Sequence, residues 1–110
     1  MSTEYKEIEI EIEQARSSVE RLQALVRLRN NPDFKRIIEQ EFFQDYAARL
    51  VSLRRAESHE SPTAQADLIK DIDGVGTLQQ FLNAILTMGY QAEQLLVEGE
   101  DALNEIEIGA

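Results

Sequence analysis

The first 29 residues carry apolar side chains at alternating intervals of three and four residues. This spacing keeps one face of an α-helix against a partner, as in a coiled coil. The stretch contains neither glycine nor proline, and its Glu, Gln, Arg and Leu residues favour helix. We therefore predict a helix over about residues 5–29 with an apolar seam on one face. The seam residues are Tyr5, Ile8, Ile12, Ala15, Val19, Leu22 and Val26.

The same helix contains a segment that alternates like a β-strand. Residues 7–13 alternate glutamate with isoleucine, and a period of two is typical of a half-buried strand. We favour the helix because the seam continues in phase to Val26 and because glutamate-rich strands are disfavoured. Ile10 then lies on the exposed side of the helix or on a second contact face.

Two polar residues followed by proline mark further helix starts. Asn31 is a good N-cap before Pro32, and Ser61 stands in the same position before Pro62. The helix after Pro32 is apolar over a broad arc, which is typical of burial against more than one neighbour. The predicted helices cover about residues 32–56 and 62–72.

A last helix is predicted beyond a glycine-containing break. The segment Asp73-Gly74-Val75-Gly76 should break or kink the chain. A fourth helix should follow over about residues 76–106, with Gly89, Ala92 and Gly99 allowing close approach of another helix. Its predicted seam is Leu78, Phe81, Ile85, Met88, Ala92, Leu95, Gly99, Ala102 and Ile106.

The charges divide the chain into acidic ends and a basic middle. The net charge is −10, but residues 16–55 alone carry +4. Residues 1–15 carry −4, and the chain from Asp71 onward has eight acidic residues and no lysine or arginine. We expect the acidic ends to fold back beside the basic middle or to meet it on a neighbouring subunit.

A length of 110 residues allows one domain and is near the lower limit for a self-sufficient core. We predict a single all-α domain over residues 1–110, an elongated helical hairpin or bundle of about four helices. The first and last helices should be coiled-coil-like and pack antiparallel. Because a chain of this size often completes its core in an oligomer, a homo-oligomer is also predicted.

The sequence lacks the residues and motifs that most catalytic mechanisms require. There is no cysteine, His59 is the single histidine, and no phosphate-binding glycine motif occurs. We expect no catalytic residue, no cofactor, no metal ion and no enzymatic activity. No apolar run approaches the roughly 18 residues that span a bilayer, and the N-terminus lacks an apolar targeting region, so no membrane contact is expected.

Two groups of residues are candidates for contact with partners. Leu25 and Leu28 form a second apolar edge beside the first seam, and two edges on one helix suggest self-association. The predicted partner-binding residues are Ile8, Ile12, Val19, Leu22, Leu25, Val26 and Leu28. A basic cluster around the Asn31 turn is a candidate contact for phosphate or for an acidic partner, although the overall negative charge opposes binding of nucleic acid. The cluster consists of Arg27, Arg29, Lys35 and Arg36.

Three segments resemble a family of small acidic helical proteins encoded by tailed bacteriophages. The segments are Asn31–Ile38, Phe42–Leu53 and Ile69–Phe81, and the likeness extends over roughly residues 20–95. The matching residues are helix starts, core positions and the Asp-Gly pair, so no catalytic motif is carried over. The resemblance implies a phage protein made in the host bacterial cytoplasm, with the virion as a further location.

The leading functional hypothesis is a non-enzymatic virion-assembly or virion-associated accessory protein. It would act through helix-mediated contacts, with a phage structural protein as its partner. A first alternative is an acidic inhibitor of a host enzyme, a decoy or anti-defence protein, motivated by the acids after Asp71. A second alternative is a nucleic-acid-binding accessory that uses the basic middle segment.

Overall fold

A computed structural model describes residues 3–109, and the described residues form helices and turns without a strand. This confirms the all-α fold class. In chain order, a first long helix is followed by a central helical run, made of two α-helical pieces around a π-helical segment, then by a single 3₁₀ turn and a second long helix. The elements are α1 (Thr3–Arg29), α2 (Pro32–Phe34), the π-helical segment (Lys35–Tyr46), α3 (Ala47–Leu53), the 3₁₀ turn (Glu57–His59) and α4 (Pro62–Gly109).

The isoleucine–glutamate alternation lies inside α1, so the helix prediction is confirmed. Ile10 is exposed, as the helical alternative requires. The helix ends where the backbone N–H of Asn30 donates to the carbonyl of Arg27 (3.2 Å) and that of Asn31 to Leu28 (3.0 Å). These tighter turns satisfy carbonyls that a helix end leaves without partners.

Both predicted N-caps are confirmed by hydrogen bonds. Asn31 Oδ1 accepts from the backbone N–H of Asp33 (2.8 Å) and of Phe34 (3.3 Å). Ser61 Oγ accepts from the backbone N–H of Ala64 (3.1 Å). Each cap satisfies amide donors that have no partner within the helix.

The central helical run is wound more widely than an α-helix in its middle. In the π-helical segment, hydrogen bonds join residues five apart, and two side-chain contacts follow the same interval. Arg36 Nε lies 3.5 Å from Glu41 Oε1, and Gln40 Nε2 donates to Asp45 Oδ1 (3.2 Å). Half-buried side chains recur along this run at intervals of four or five residues, two of them as adjacent pairs. The half-buried residues from Phe34 to Ala47 are Phe34, Ile38, Glu39, Phe42, Phe43 and Ala47.

Helix α4 runs without interruption through the predicted break, so the separate helices 62–72 and 76–106 are wrong. Two interior glycines cost roughly 1 kcal/mol each relative to alanine, whereas burying one valine contributes roughly 1.5–3 kcal/mol. Val75, between the two glycines, is buried. Thr77 Oγ1 also donates to the carbonyl of Asp73 (2.8 Å), which bridges this turn of the helix.

The helices form two compact units. The first comprises the chain up to Val26 and from Ala84 onward, and the second comprises Arg27–Asn83. The buried apolar residues of the first unit are Ile12, Ala15, Leu22, Leu25 and Ala92. Those of the second are Leu50, Leu68 and Val75, packed with Phe42, Phe43, Ala47, Leu53 and Ile72. The single domain over 1–110 stays a prediction.

One side chain fixes the connection between α3 and α4 in the second unit. Gln65 Nε2 donates to the carbonyl of Arg54 (3.0 Å) and to that of His59 (2.6 Å). Two backbone carbonyls that leave the helical pattern are thereby satisfied. The 3₁₀ turn is held against the first turns of α4.

Candidate interaction surface

In the first unit α1 and α4 approach each other most closely at two glycines of α4. An alanine Cβ at Gly89 would overlap Leu22, and one at Gly99 would lie 2.9 Å from Ile12 Cγ1. The order of the contacts reverses between the helices, so they pack antiparallel. The predictions of antiparallel packing and of close approach at small residues are confirmed.

The seam of α1 is confirmed in its middle and wrong at its end. Ile12 and Leu22 are buried, and Ile8 and Val19 are half-buried. Beyond Leu22 the buried face continues to Leu25 (4% exposed) and not to Val26 (44%). The next buried residue after Leu22 is therefore three positions away and not four. The sequence permits both spacings because Leu25 and Val26 are both apolar.

This step changes the predicted partner-binding set. Leu25 is part of the core of its own chain, so its place on an exposed second edge is wrong. Leu28 (46% exposed) and Val26 remain accessible. Leu25 is therefore not accessible beside Leu28, and a partner-binding role of the remaining residues of the set stays a prediction.

The predicted seam of α4 is confirmed at six of its nine residues and wrong at the other three. Ala92 is buried, and Leu78, Ile85, Gly99, Ala102 and Ile106 are half-buried. Met88 and Leu95 are exposed, whereas the residues that follow them, Gly89 and Leu96, are buried and half-buried. Phe81 is exposed as well. Adjacent apolar residues create two stripes with the same period, and the close contact at Gly89 selects the second stripe.

Helix α4 consequently keeps apolar side chains on both sides of its inward-facing stripe. Met88 and Leu95 precede Gly89 and Leu96 by one residue, while Tyr90 and Val97 follow them by one. All four side chains are exposed. Single exposed apolar residues are ordinary, but repeated ones along one helix indicate a contact surface.

The first unit holds most of the negative charge. It contains 12 acidic and three basic side chains, whereas the second unit contains nine and eight. The charges of Glu9 and Glu107, together with some desolvation, raise the pKa of Tyr5 above its ordinary value. Arg16 Nη2 lies 3.9 Å from Glu100 Oε1, but both side chains are exposed, so this pair contributes little.

The basic cluster lies in the second unit, and part of its charge is paired. Arg29 Nη2 lies 3.7 Å from Glu39 Oε2, and Arg36 Nε lies beside Glu41. Arg27 and Lys35 are exposed. The structure brings the four cations to one end of α1 and the start of the central run, together with these acids.

We predict that this cluster does not bind duplex DNA tightly. Two of its cations have carboxylate neighbours, and the protein as a whole carries −10. A gel shift at about 150 mM salt should be negative for the wild type. Sub-micromolar binding that falls steeply with added salt, and that is lost in an Arg27→Ala, Lys35→Ala variant, would contradict this prediction.

Among the described residues, the one histidine lies close to a serine. Ser58 Oγ and His59 Nδ1 lie 2.7 Å apart as sequence neighbours on the 3₁₀ turn. Across residues 3–109 no group of three or more His, Cys, Asp or Glu side chains is arranged to hold a metal ion. In the same range, none of the helices has both the length and the apolar character needed to cross a membrane.

Comparison of the chain with protein-family models, with curated proteins and with solved structures finds no match.

Proposed function

We propose that this chain is a non-enzymatic protein that acts through helix-mediated contacts with other proteins. The observation that carries the proposal is the balance of apolar side chains. Among the described residues eight apolar side chains are buried, while 13 large apolar side chains are exposed. A contact surface for another protein accounts for this excess.

The charge pattern of α4 supports the same proposal. No charged residue occurs between Gly74 and Ala92, although the helix is exposed along much of this stretch. Solvated helix faces ordinarily carry charge, whereas the centres of protein interfaces are depleted of it. Exposed Met88 and Tyr90 lie inside this uncharged stretch.

The setting we propose is the assembly of a bacteriophage particle. It rests on the resemblance of Asn31–Ile38, Phe42–Leu53 and Ile69–Phe81 to small acidic phage proteins. In this setting the chain would act in the bacterial cytoplasm or in the virion on a phage structural protein. A homo-oligomer is part of the proposal, and the nearly neutral second unit is its better surface because like charges repel less there.

The proposed function can be tested by affinity capture of a tagged chain from phage-infected cells. Structural proteins of the particle should co-purify with the wild type. They should be reduced when Met88 and Tyr90 are both replaced by glutamate, since these exposed sites tolerate polar residues. Circular dichroism checks that the variant keeps its helix content, and sedimentation equilibrium measures the oligomer.

Two other outcomes of the same capture would contradict the proposal. A host enzyme as the dominant partner would favour the acidic inhibitor, and nucleic acid would favour the accessory that uses the basic middle segment. If no captured protein depends on Met88 and Tyr90, these exposed side chains do not form a contact surface, and the proposal fails. If the wild type sediments as a monomer at high micromolar concentration, the homo-oligomer part of the proposal is wrong.

A further inference from the structure

One exposed side of α4 in the first unit has the repeat of a helix-binding surface. Met88, Leu95 and Ala102 follow one another at intervals of seven residues, and we name these three residues the Met88 flank. Met88 and Leu95 are each 49% exposed, and Ala102 is half-buried. A seven-residue repeat of apolar side chains matches a second helix that crosses at a small angle.

The solvent side of the Met88 flank is bordered by acids of α4. Glu98 follows Leu95 by three residues, and Glu105 follows Ala102 by three, so each lies beside the flank on the next helical turn. Both glutamates are exposed. Gln91 holds the corresponding position after Met88.

The other border is formed by α1. Arg16 lines a groove with Glu100 and Leu103, which places this side of α1 away from the Met88 flank. Glu7 precedes Arg16 by about two and a half turns at 3.6 residues per turn, so it lies on the opposite side, toward the flank. Exposed Glu11 lies near it on the same side.

The charge around the Met88 flank selects among its conceivable occupants. The same side of α1 carries one cation, Arg21, two heptads beyond Glu7 toward Met88, so the acids concentrate around Ala102. A second copy of the first unit would bring 12 acidic and three basic side chains against an identical set. A helix with lysine or arginine beside an apolar ridge would meet opposite charge on both borders.

We infer that the Met88 flank binds a basic amphipathic α-helix of another protein. The inference rests on the proposed function and names the chemistry of the partner. Apolar side chains of that helix lie on Met88, Leu95 and Ala102. Its cations lie beside Glu98 and Glu105 on one border and beside Glu7 and Glu11 on the other.

The test uses two synthetic helical peptides of three heptads with the same leucine ridge. One has lysine at every flanking position and the other has glutamate. Titration calorimetry with the full chain should show binding of the lysine peptide only. The affinity should fall as salt rises from about 50 to about 300 mM, because the flanking charges are screened.

A matched pair of variants separates docking on the flank from general attraction to an acidic protein. Leu95→Glu and Val97→Glu add the same charge to the same helix, on opposite sides of its inward-facing stripe. Leu95→Glu should weaken the lysine peptide at least about tenfold, as loss of a central apolar contact does. Val97→Glu should leave the affinity within about twofold, or strengthen it slightly by its added charge.

Two results would overturn the inference. Equal effects of Leu95→Glu and Val97→Glu would mean that the peptide does not occupy the Met88 flank. A wild-type oligomer that Leu95→Glu converts to a monomer would make a second copy the occupant. If the lysine peptide does not bind while affinity capture still yields partners that depend on Met88 and Tyr90, the inference fails and the proposed function stands.

Discussion

Replacing Gly89 by alanine is expected to lower the free energy of unfolding by about 2 kcal/mol. The new Cβ would overlap the Cβ of Leu22 and lie 2.9 Å from its Cδ2. Leu22 is buried, and its Cβ is fixed to the backbone, so α1 and α4 must separate. Overpacking of this kind costs roughly 1–3 kcal/mol, which exceeds the roughly 1 kcal/mol that alanine contributes through helix propensity. Urea unfolding followed by circular dichroism measures the change.

The chain contains its own control for this substitution. An alanine Cβ at Gly74 meets nothing within 4 Å, and Gly74 lies in the same helix. Gly74→Ala should therefore stabilise the protein by up to about 1 kcal/mol. The combined loss of Leu22→Gly and Gly89→Ala should be smaller than the sum of the two single losses, because glycine at position 22 removes the Cβ that the new methyl group overlaps. A Gly89→Ala protein as stable as Gly74→Ala would contradict the close approach of the helices.

The period of the apolar pattern could be predicted from the sequence, but its phase could not. Where one apolar residue stands alone, as at Ile12, the seam is unambiguous, and the structure buries that residue. Where two are adjacent, as at Leu25 and Val26, both lie within three or four residues of Leu22, so the local spacing permits either. The partner helix decides between them through contacts that are distant in the sequence.

Helix α4 shows the same limit with glycine. Gly74 and Gly89 have the same intrinsic cost in a helix, and the local sequence marks the first as a break. In the structure Gly74 lies in open helix surface, while Gly89 lies against Leu22. The exposed Met88 flank could not be predicted from the sequence for the same reason. Met88 and Leu95 fit the expected seam, and only the contact at Gly89 shows that the helix turns them outward.

Replacing Leu25 by alanine is expected to cost about 2–5 kcal/mol, the range for large-to-small substitutions in a core. Leu25 is 4% exposed, so its removal leaves a cavity in the first unit and loses buried apolar area. Leu28→Ala makes the same chemical change on the same helix at a side chain that is 46% exposed. That control should change the free energy of unfolding by less than about 1 kcal/mol, because little burial is lost.

The contrast between these two leucines decides the phase of the α1 seam. If the seam ran through Val26, Leu25→Ala would be mild, and Val26→Ala would carry the larger loss. Urea unfolding of the three variants distinguishes the two phases. If the substitutions at Leu25 and Leu28 both change the free energy of unfolding equally and little, Leu25 lies on the exposed edge and is again a candidate contact residue. A large effect at Leu25 alone leaves Val26 and Leu28 as the accessible apolar residues at this end of α1, since their side chains remain open to solvent.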